Sequence, residues 1–176
     1  STTVKAMGGV GIRDFFKGMG PAMMMAFSSA SSVGTLPLNL ECSEKLGARK
    51  DIAAFTLPLG ATINMGGTAI YQGVCSLFIA SCFGVTLTMP QMLTIIFTAT
   101  LASVGTAGVP SAGMIMLAMV LQSVGLPVEG IALVAGVDRI FDMGRTTINI
   151  TGDAACAVVI SKMEERKEQR TKGALG

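Results

Sequence analysis

The sequence predicts an all-α membrane protein of two re-entrant helical hairpins and two spanning helices, arranged as an inverted repeat. Three observations carry that expectation. Hydrophobic residues make up 51% of the 176 and charged residues 14%, with a mean hydropathy of +0.63, a balance that a water-soluble domain of this size rarely shows. Between Asp51 and Asp138 the only charged residue is Glu129, so the middle of the chain can enter hydrocarbon without burying ions. Two apolar stretches are also cut at their centres by Gly, Ser and Pro, and they alternate with two that are long enough to cross a bilayer.

The first hairpin is expected over 12–43. Its apolar run is interrupted by Ser28-Ser29-Ala30-Ser31-Ser32-Val33-Gly34-Thr35-Leu36-Pro37, which leaves each half too short to span. Gly, Ser and Pro at that density stop helices, and irregular backbone survives at membrane depth only where protein or a water-filled cavity supplies hydrogen-bond partners. The plainer alternative is a spanning helix with a proline kink, but a kink alone does not need the neighbouring Ser and Gly.

A spanning helix follows over 52–83, with a weak, polar centre from Asn64 to Thr68. The second hairpin, 92–124, is cut by Ser103-Val104-Gly105-Thr106-Ala107-Gly108-Val109-Pro110-Ser111, and the second spanning helix covers 128–161. Residues 162–176 are expected to form a charged cytoplasmic tail, most simply a solvated helix end over Lys162 to Lys172.

An internal repeat ties these elements together. Ser32-Val33-Gly34-Thr35 recurs as Ser103-Val104-Gly105-Thr106, and Asn64-Met65-Gly66-Gly67-Thr68 recurs in pattern as Asp142-Met143-Gly144-Arg145-Thr146. Paired interrupted segments at corresponding places of two repeats point to a binding site at the membrane midplane. All of the 13 Lys and Arg except Arg139 and Arg145 lie before the first hairpin, between it and the first spanning helix, or after the second. Positive charge on cytoplasmic loops then puts the amino end, the 41–51 loop and the carboxyl-terminal tail inside, so the hairpins enter from opposite faces. The expected setting is a multi-pass protein of the cytoplasmic membrane.

Other function classes find little support. There is no Trp, one Tyr and no basic stripe interleaved with aromatics, which argues against nucleic acid. Cys42, Cys75, Cys82 and Cys156 form no C-x-x-C pair and there is no His, so they read as small apolar side chains rather than metal ligands or nucleophiles. Gly9-Val10-Gly11 and Gly18-Met19-Gly20 lack the third glycine of a dinucleotide loop. Residues 1–17 lack the apolar core of a secretory signal, and the start reads as a boundary inside a longer protein. An intramembrane enzyme is disfavoured because no Ser sits in a G-x-S-x-G turn and no second helix offers a carboxylate to Asp138 or Asp142.

The densest chemistry lies in the last helix. Asp138, Asp142, Arg145, Thr146, Asn149 and Asp153 fall within an arc of roughly 100° at about 100° per residue. Each intramembrane charge costs a few kcal/mol, so this stripe must face protein, water, ions or a ligand. A self-neutralising ion network is one reading. It leaves negative charge unmatched, however, because three carboxylates face Arg145 while Arg139 points about 100° away from Asp138. A bound cation would complete the balance.

The segment Asp142-Met143-Gly144-Arg145-Thr146-Thr147-Ile148-Asn149-Ile150-Thr151-Gly152-Asp153 is similar to the last-helix signature of the glutamate/aspartate transporter family, the dicarboxylate/amino acid:cation symporters. Ala107-Gly108-Val109-Pro110-Ser111-Ala112-Gly113 resembles that family's second-hairpin tip, and Ser31-Ser32 with Gly34-Thr35-Leu36-Pro37 its first. Asn64-Met65 with Gly67-Thr68-Ala69-Ile70-Tyr71-Gln72-Gly73 resembles its unwound seventh-helix motif. The likeness runs from about Phe15 to Glu164, the family's carboxyl-terminal transport half, without the amino-terminal scaffold through which its members form homotrimers.

The resemblance implies sodium-coupled symport of L-aspartate or L-glutamate by an elevator-type alternating-access mechanism, with the second hairpin as extracellular gate and no cofactor. It implies that Arg145 holds the substrate's side-chain carboxylate, Asp142 its ammonium, and Asn149 with Ser32 its α-carboxylate. Ser31, Thr68, Val109, Gly113, Asp138 and Thr146 complete the substrate set. For sodium it implies Gly60, Asn64, Asn149 and Asp153 at one site and Thr62, Ser103, Val104 and Thr106 at another, hard oxygen ligands throughout. Gly66 stands where the family pattern has Asp, which removes an anionic ligand from a third sodium site; a proton could replace that ion. Ala30 and Met143 occupy the two places where the family carries a basic residue near Asp138 and Asp142. Transport of a neutral amino acid, transport of a C4-dicarboxylate and a non-transporting or separately encoded half stay open as alternatives.

Overall fold

The computed structural model describes residues 2–174, all of whose regular structure is helical. Helix α1, Thr2–Gly8, precedes a pair formed by α2, Ile12–Ser29, and α3, Ser32–Lys45, joined only by Ala30 and Ser31. Ala30 ends α2 in a left-handed conformation at φ +52°, which a non-glycine residue adopts only at a cost of about 1–2 kcal/mol. Ser31 then caps α3, its side chain accepting from the Gly34 N–H at 3.0 Å. The break expected at 28–37 is therefore two residues long, because Ser31 can restart a helix at once.

Helices α4, Lys50–Ile63, and α5, Gly66–Cys82, form the next element, interrupted at Asn64 and Met65 as its polar centre suggested. Together they make up Lys50–Cys82, the one helical stretch among the described residues long and apolar enough to cross a membrane. A second pair follows, α6, Met89–Val104, and α7, Ala112–Ser123, separated by seven irregular residues. Thr88 and Gln91 start α6 three residues earlier than expected by capping each other's backbone. Ser111, at φ +63°, is the second strained non-glycine residue, and it too sits at the tip of a pair.

The last expected spanning helix departs most from its forecast. A 3₁₀ turn, Val128–Gly130, and α8, Ile131–Ala135, come before α9, Asp138–Ala174, which runs 37 residues without a break. At 1.5 Å per residue α9 is about 55 Å long, far more than a bilayer core. It does not count as a membrane span by composition because its charged stripe interrupts the apolar run. The charged residues after 161, expected from sequence to be a solvated helix end, continue α9 through Ala174. Arg49, on the turn before α4, holds that extension through Glu168 at 2.7 Å, while its backbone N–H donates to buried Ser161 at 2.9 Å.

Three apolar clusters hold the helices together, one of them packing Ala53 and Leu57 of α4 on Ala157 and Val158 of α9. Phe15, Met19, Ala22, Ala26, Ile150 and Ala154 pack the first pair against it, and Tyr71, Ile79, Ile95, Leu117 and Leu121 bind α5 to the second pair. The polar stripe is turned inward. Asp138, Asp142, Arg145, Thr146, Asn149 and Asp153 are all buried, whereas Ile140, Phe141 and Ile148 on the opposite face of α9 are exposed. Large apolar side chains are likewise exposed on α2, α5, α6 and α7. This inversion, ions inside and hydrocarbon outside, suits a chain whose surroundings are lipid or other apolar protein.

Candidate functional site

The two tips meet over the middle of α9. Ser31 Oγ donates to the Gly108 carbonyl at 3.0 Å, and the Val33 N–H donates to the same oxygen at 3.2 Å. Beneath them, Ser32, Met65, Thr68, Thr106, Ala107, Gly108, Val109, Gly113, Asp142, Arg145, Thr146 and Asn149 enclose one cavity. Ser32, Thr68, Val109, Gly113, Asp142, Arg145, Thr146 and Asn149 were all expected to bind substrate from sequence, and residues up to 117 apart in the chain come together there. The cavity holds about 10 Å³, room for a single water, so an amino acid can enter only if a tip moves.

Arg145 dominates this space. Its Nε donates to Asp142 Oδ1 at 3.0 Å, and its Nη2 lies 2.8 Å from the same oxygen. Asp138 Oδ1 is 3.6 Å from Nη1, too far for a good hydrogen bond. Nη1 thus stays without a hydrogen-bond partner among the described residues, and Nη2 meets Asp142 as an ion pair outside hydrogen-bond geometry, although Arg145 is only 5% exposed. Asp142 Oδ2 accepts the Ser111 N–H at 2.7 Å, which ties the second tip to α9. Asp138 joins the site through Arg145 alone, and Ser31 holds the tips together instead of lining the cavity.

Asn149 is occupied by protein: its Oδ1 accepts the Gly67 N–H at 2.8 Å and its Nδ2 meets the Met65 sulfur at 3.2 Å. Gly67 permits this close approach, since a Cβ there would come within 2.7 Å of the Arg145 carbonyl. The sequence reading missed two contributors. Met65 lines the cavity, and the Tyr71 ring stacks on the Arg145 guanidinium, 4.5 Å from its centroid. Tyr71 carried a signal, because it lies one turn after Thr68 and is the chain's only tyrosine.

The expected cation ligands divide into two groups. Gly60, Asn64 and Asp153 border a second cavity of about 360 Å³, where Asn64 Nδ2 donates to Asp153 Oδ1 at 2.7 Å. Asp153 Oδ2 is buried and has no partner among the described residues, the arrangement expected of a carboxylate that needs a cation. Thr62, Ser103, Val104 and Thr106 are not gathered into one cavity. Thr106 lines the central cavity and Ser103 is buried beside it, while Thr62 and Val104 are exposed.

The pattern of the sodium:dicarboxylate symporter family matches residues 1–163. The chain belongs to that family. It is 47% identical over 147 residues to excitatory amino acid transporter 2 of Homo sapiens, a match covering 83% of this chain and 26% of that one. It is 40% identical over 161 residues to the proton/sodium-glutamate symport protein of Bacillus subtilis, covering 92% of this chain and 38% of that one. A Caenorhabditis elegans excitatory amino acid transporter is 46% identical over 147 residues, 83% of this chain and 29% of its own length. The chain therefore spans roughly a quarter to two-fifths of these relatives, and its family is one of transporters, not enzymes.

Among the glycines lining the central cavity, Gly113 is the tightest steric point. A Cβ at 113 would lie 2.6 Å from Arg145 Cζ and Nη1. The guanidinium is pinned by Asp142 and Tyr71 and cannot yield freely, so overpacking there should cost about 1–3 kcal/mol. Gly113→Ala is expected to weaken binding of a carboxylate ligand at Arg145 by roughly ten- to a hundredfold, measured by titration calorimetry on the full-length protein. Wild-type affinity in that variant would show that the Arg145 position is not critical.

Proposed function

We propose that this chain is the substrate-binding half of a sodium-coupled symporter of acidic amino acids, L-aspartate or L-glutamate, in the cytoplasmic membrane. The observation that carries the reading is Arg145, a buried guanidinium whose Nη1 lacks a hydrogen-bond partner among the described residues and whose Nη2 is held only by its ion pair with Asp142, under two meeting tips. A planar fork matches a side-chain carboxylate, and the neighbouring Asp matches an ammonium. Binding is then an exchange: the substrate carboxylate takes Arg145, its ammonium takes Asp142, and one internal ion pair gives way to two external ones. A neutral amino acid would leave Arg145 half-satisfied, and a dicarboxylate without an amino group would leave Asp142 so.

Asp142 also holds the Ser111 N–H, so an arriving ammonium competes with the second tip for the same carboxylate. That competition makes the second pair the moving gate. The two pairs act as re-entrant hairpins of an inverted repeat, and α4 to α5 with α8 to α9 cross the bilayer. The amino end, the 41–51 loop and the carboxyl-terminal end lie in the cytoplasm, on the strength of their Lys and Arg. The whole unit moves as the transport domain of an elevator, against a scaffold that assembles as a homotrimer. Sodium ions are co-transported, one of them held by Asp153 with backbone oxygens of Gly60, Asn64 and Asn149, and the Ser103 to Thr106 turn supplies a second site with Thr62. Sodium-driven uptake of labelled aspartate and glutamate into proteoliposomes holding the full-length transporter tests the proposal; no uptake of either would overturn it.

Gly66 bears on the number of ions. Nothing lies within 4 Å of a Cβ placed there, so a carboxylate fits without displacing the fold. Gly66→Asp is expected to steepen the sodium dependence of aspartate binding, raising the Hill coefficient by about one half to one. An unchanged slope at two pH values would show that Gly66 does not remove a cation site.

A further inference from the structure

The membrane half of this protein holds a second arginine that the substrate site does not use. Arg139 is exposed on the first turn of α9, and an arginine in hydrocarbon costs several kcal/mol unless it finds acceptors. The carboxylates do not claim it. Asp138 and Asp142 face inward to Arg145, whereas the Arg139 guanidinium turns to the first hairpin and its Nη2 lies 3.4 Å from the Ser28 carbonyl, 111 residues away in the chain.

That carbonyl needs a donor. Ser28 is in the last turn of α2, where carbonyls have no helical N–H to accept. The left-handed Ala30 sends its own N–H to the Ala26 carbonyl, and no backbone N–H of the described residues reaches Ser28 O. In water the oxygen would be solvated; at membrane depth it would stay unpaired. The negative end of the α2 dipole also attracts a cation at this spot.

We infer that Arg139 is a positioning residue: it anchors the first hairpin tip to α9 and so holds Ser31 and Ser32 where the substrate site needs them. Across to the second tip, Ser31 and Val33 bond to the Gly108 carbonyl. If the second tip is the one that moves, those bonds break each time it opens. The Arg139 bond is independent of them, so it keeps the first tip in register with Asp142 and Arg145 through the opening. This use of the anchor rests on the transport reading; the anchor itself does not.

Two measurements on the full-length transporter test it, on wild type, Arg139→Ala and Arg139→Lys. The first is amide hydrogen exchange, read by mass spectrometry. Arg139→Ala should raise exchange at least threefold in peptides covering 27–34 and leave those covering 147–160 unchanged. Arg139→Lys should restore most of the protection, because a carbonyl needs a charged donor rather than a planar fork. Wild-type exchange at the tip, or an equal rise throughout the domain, would overturn the anchor, the second result meaning a general loss of stability. The second measurement is aspartate binding at saturating sodium. Arg139→Ala should weaken affinity about three- to tenfold, while the preference for acidic over neutral amino acids and the sodium Hill slope stay as in wild type. A change in that preference or slope, or no change in affinity, would overturn the positioning role. If wild type binds no acidic amino acid, the substrate assignment fails, and the exchange experiment still decides the anchor.

Discussion

Arg145→Cys is expected to abolish binding of aspartate and glutamate, by more than a thousandfold, while leaving or creating weak binding of serine-like neutral amino acids. The magnitude follows from burial. Arg145 is 5% exposed, so a substrate carboxylate delivered there leaves water and must be paid back by this fork alone. No other cation replaces it: Arg139 is directed to Ser28, and the remaining Lys and Arg lie outside 51–161. The same substitution leaves Asp138 and Asp142 buried without their cation, a cost of about 3–5 kcal/mol, so the variant needs a thermal-stability control. A neutral substrate's ammonium can still meet Asp142, which is why affinity should shift toward neutral amino acids rather than vanish. Competition of aspartate, glutamate and serine against a labelled ligand checks this. An unchanged aspartate affinity would remove the acidic-substrate assignment altogether.

Asp153→Asn should act on the ions first. Asp153 is 1% exposed, and its Oδ2 is a buried carboxylate oxygen that no described residue satisfies. Sodium would gain most of its charge compensation there, since the other expected ligands, Gly60, Asn64 and Asn149, offer neutral oxygens. Replacing the carboxylate by an amide is therefore expected to raise the sodium concentration needed for half-maximal substrate binding at least tenfold. Substrate affinity at saturating sodium should change less, because Asp153 lies outside the substrate cavity. A sodium titration of aspartate binding separates the two effects. An equal sodium requirement in the two proteins would place the cation elsewhere.

Much of this architecture could be read along the chain because its causes are local. Gly, Ser and Pro break helices by their own backbone preferences, so both tips and the Asn64 interruption were legible. The stripe on α9 was legible because helical spacing alone puts Asp138, Asp142, Arg145, Asn149 and Asp153 on one side. Helix ends were read less well: α6 starts at Met89 because Thr88 and Gln91 cap one another, and the helix expected from 128 starts only at Asp138, after a separate short α8. No local rule stops α9 at 161; its extension is held from outside by Arg49.

By itself, then, the sequence determined the helical class, the two broken segments, the face of α9 that carries charge and, through resemblance, the family to which the chain belongs. Tertiary structure alone decided how those charges are paired. Spacing along one helix cannot say that Arg145 takes Asp142, that the Ser111 N–H shares that carboxylate, or that Arg139 turns away to Ser28. Nor could it say that Tyr71 and Met65 meet the site, since Tyr71 reaches it from α5 and Met65 from the break before α5. The physical reason is range: helix breaking and helical periodicity act over a few residues, whereas pairing a buried charge depends on which distant groups packing brings within about 3 Å.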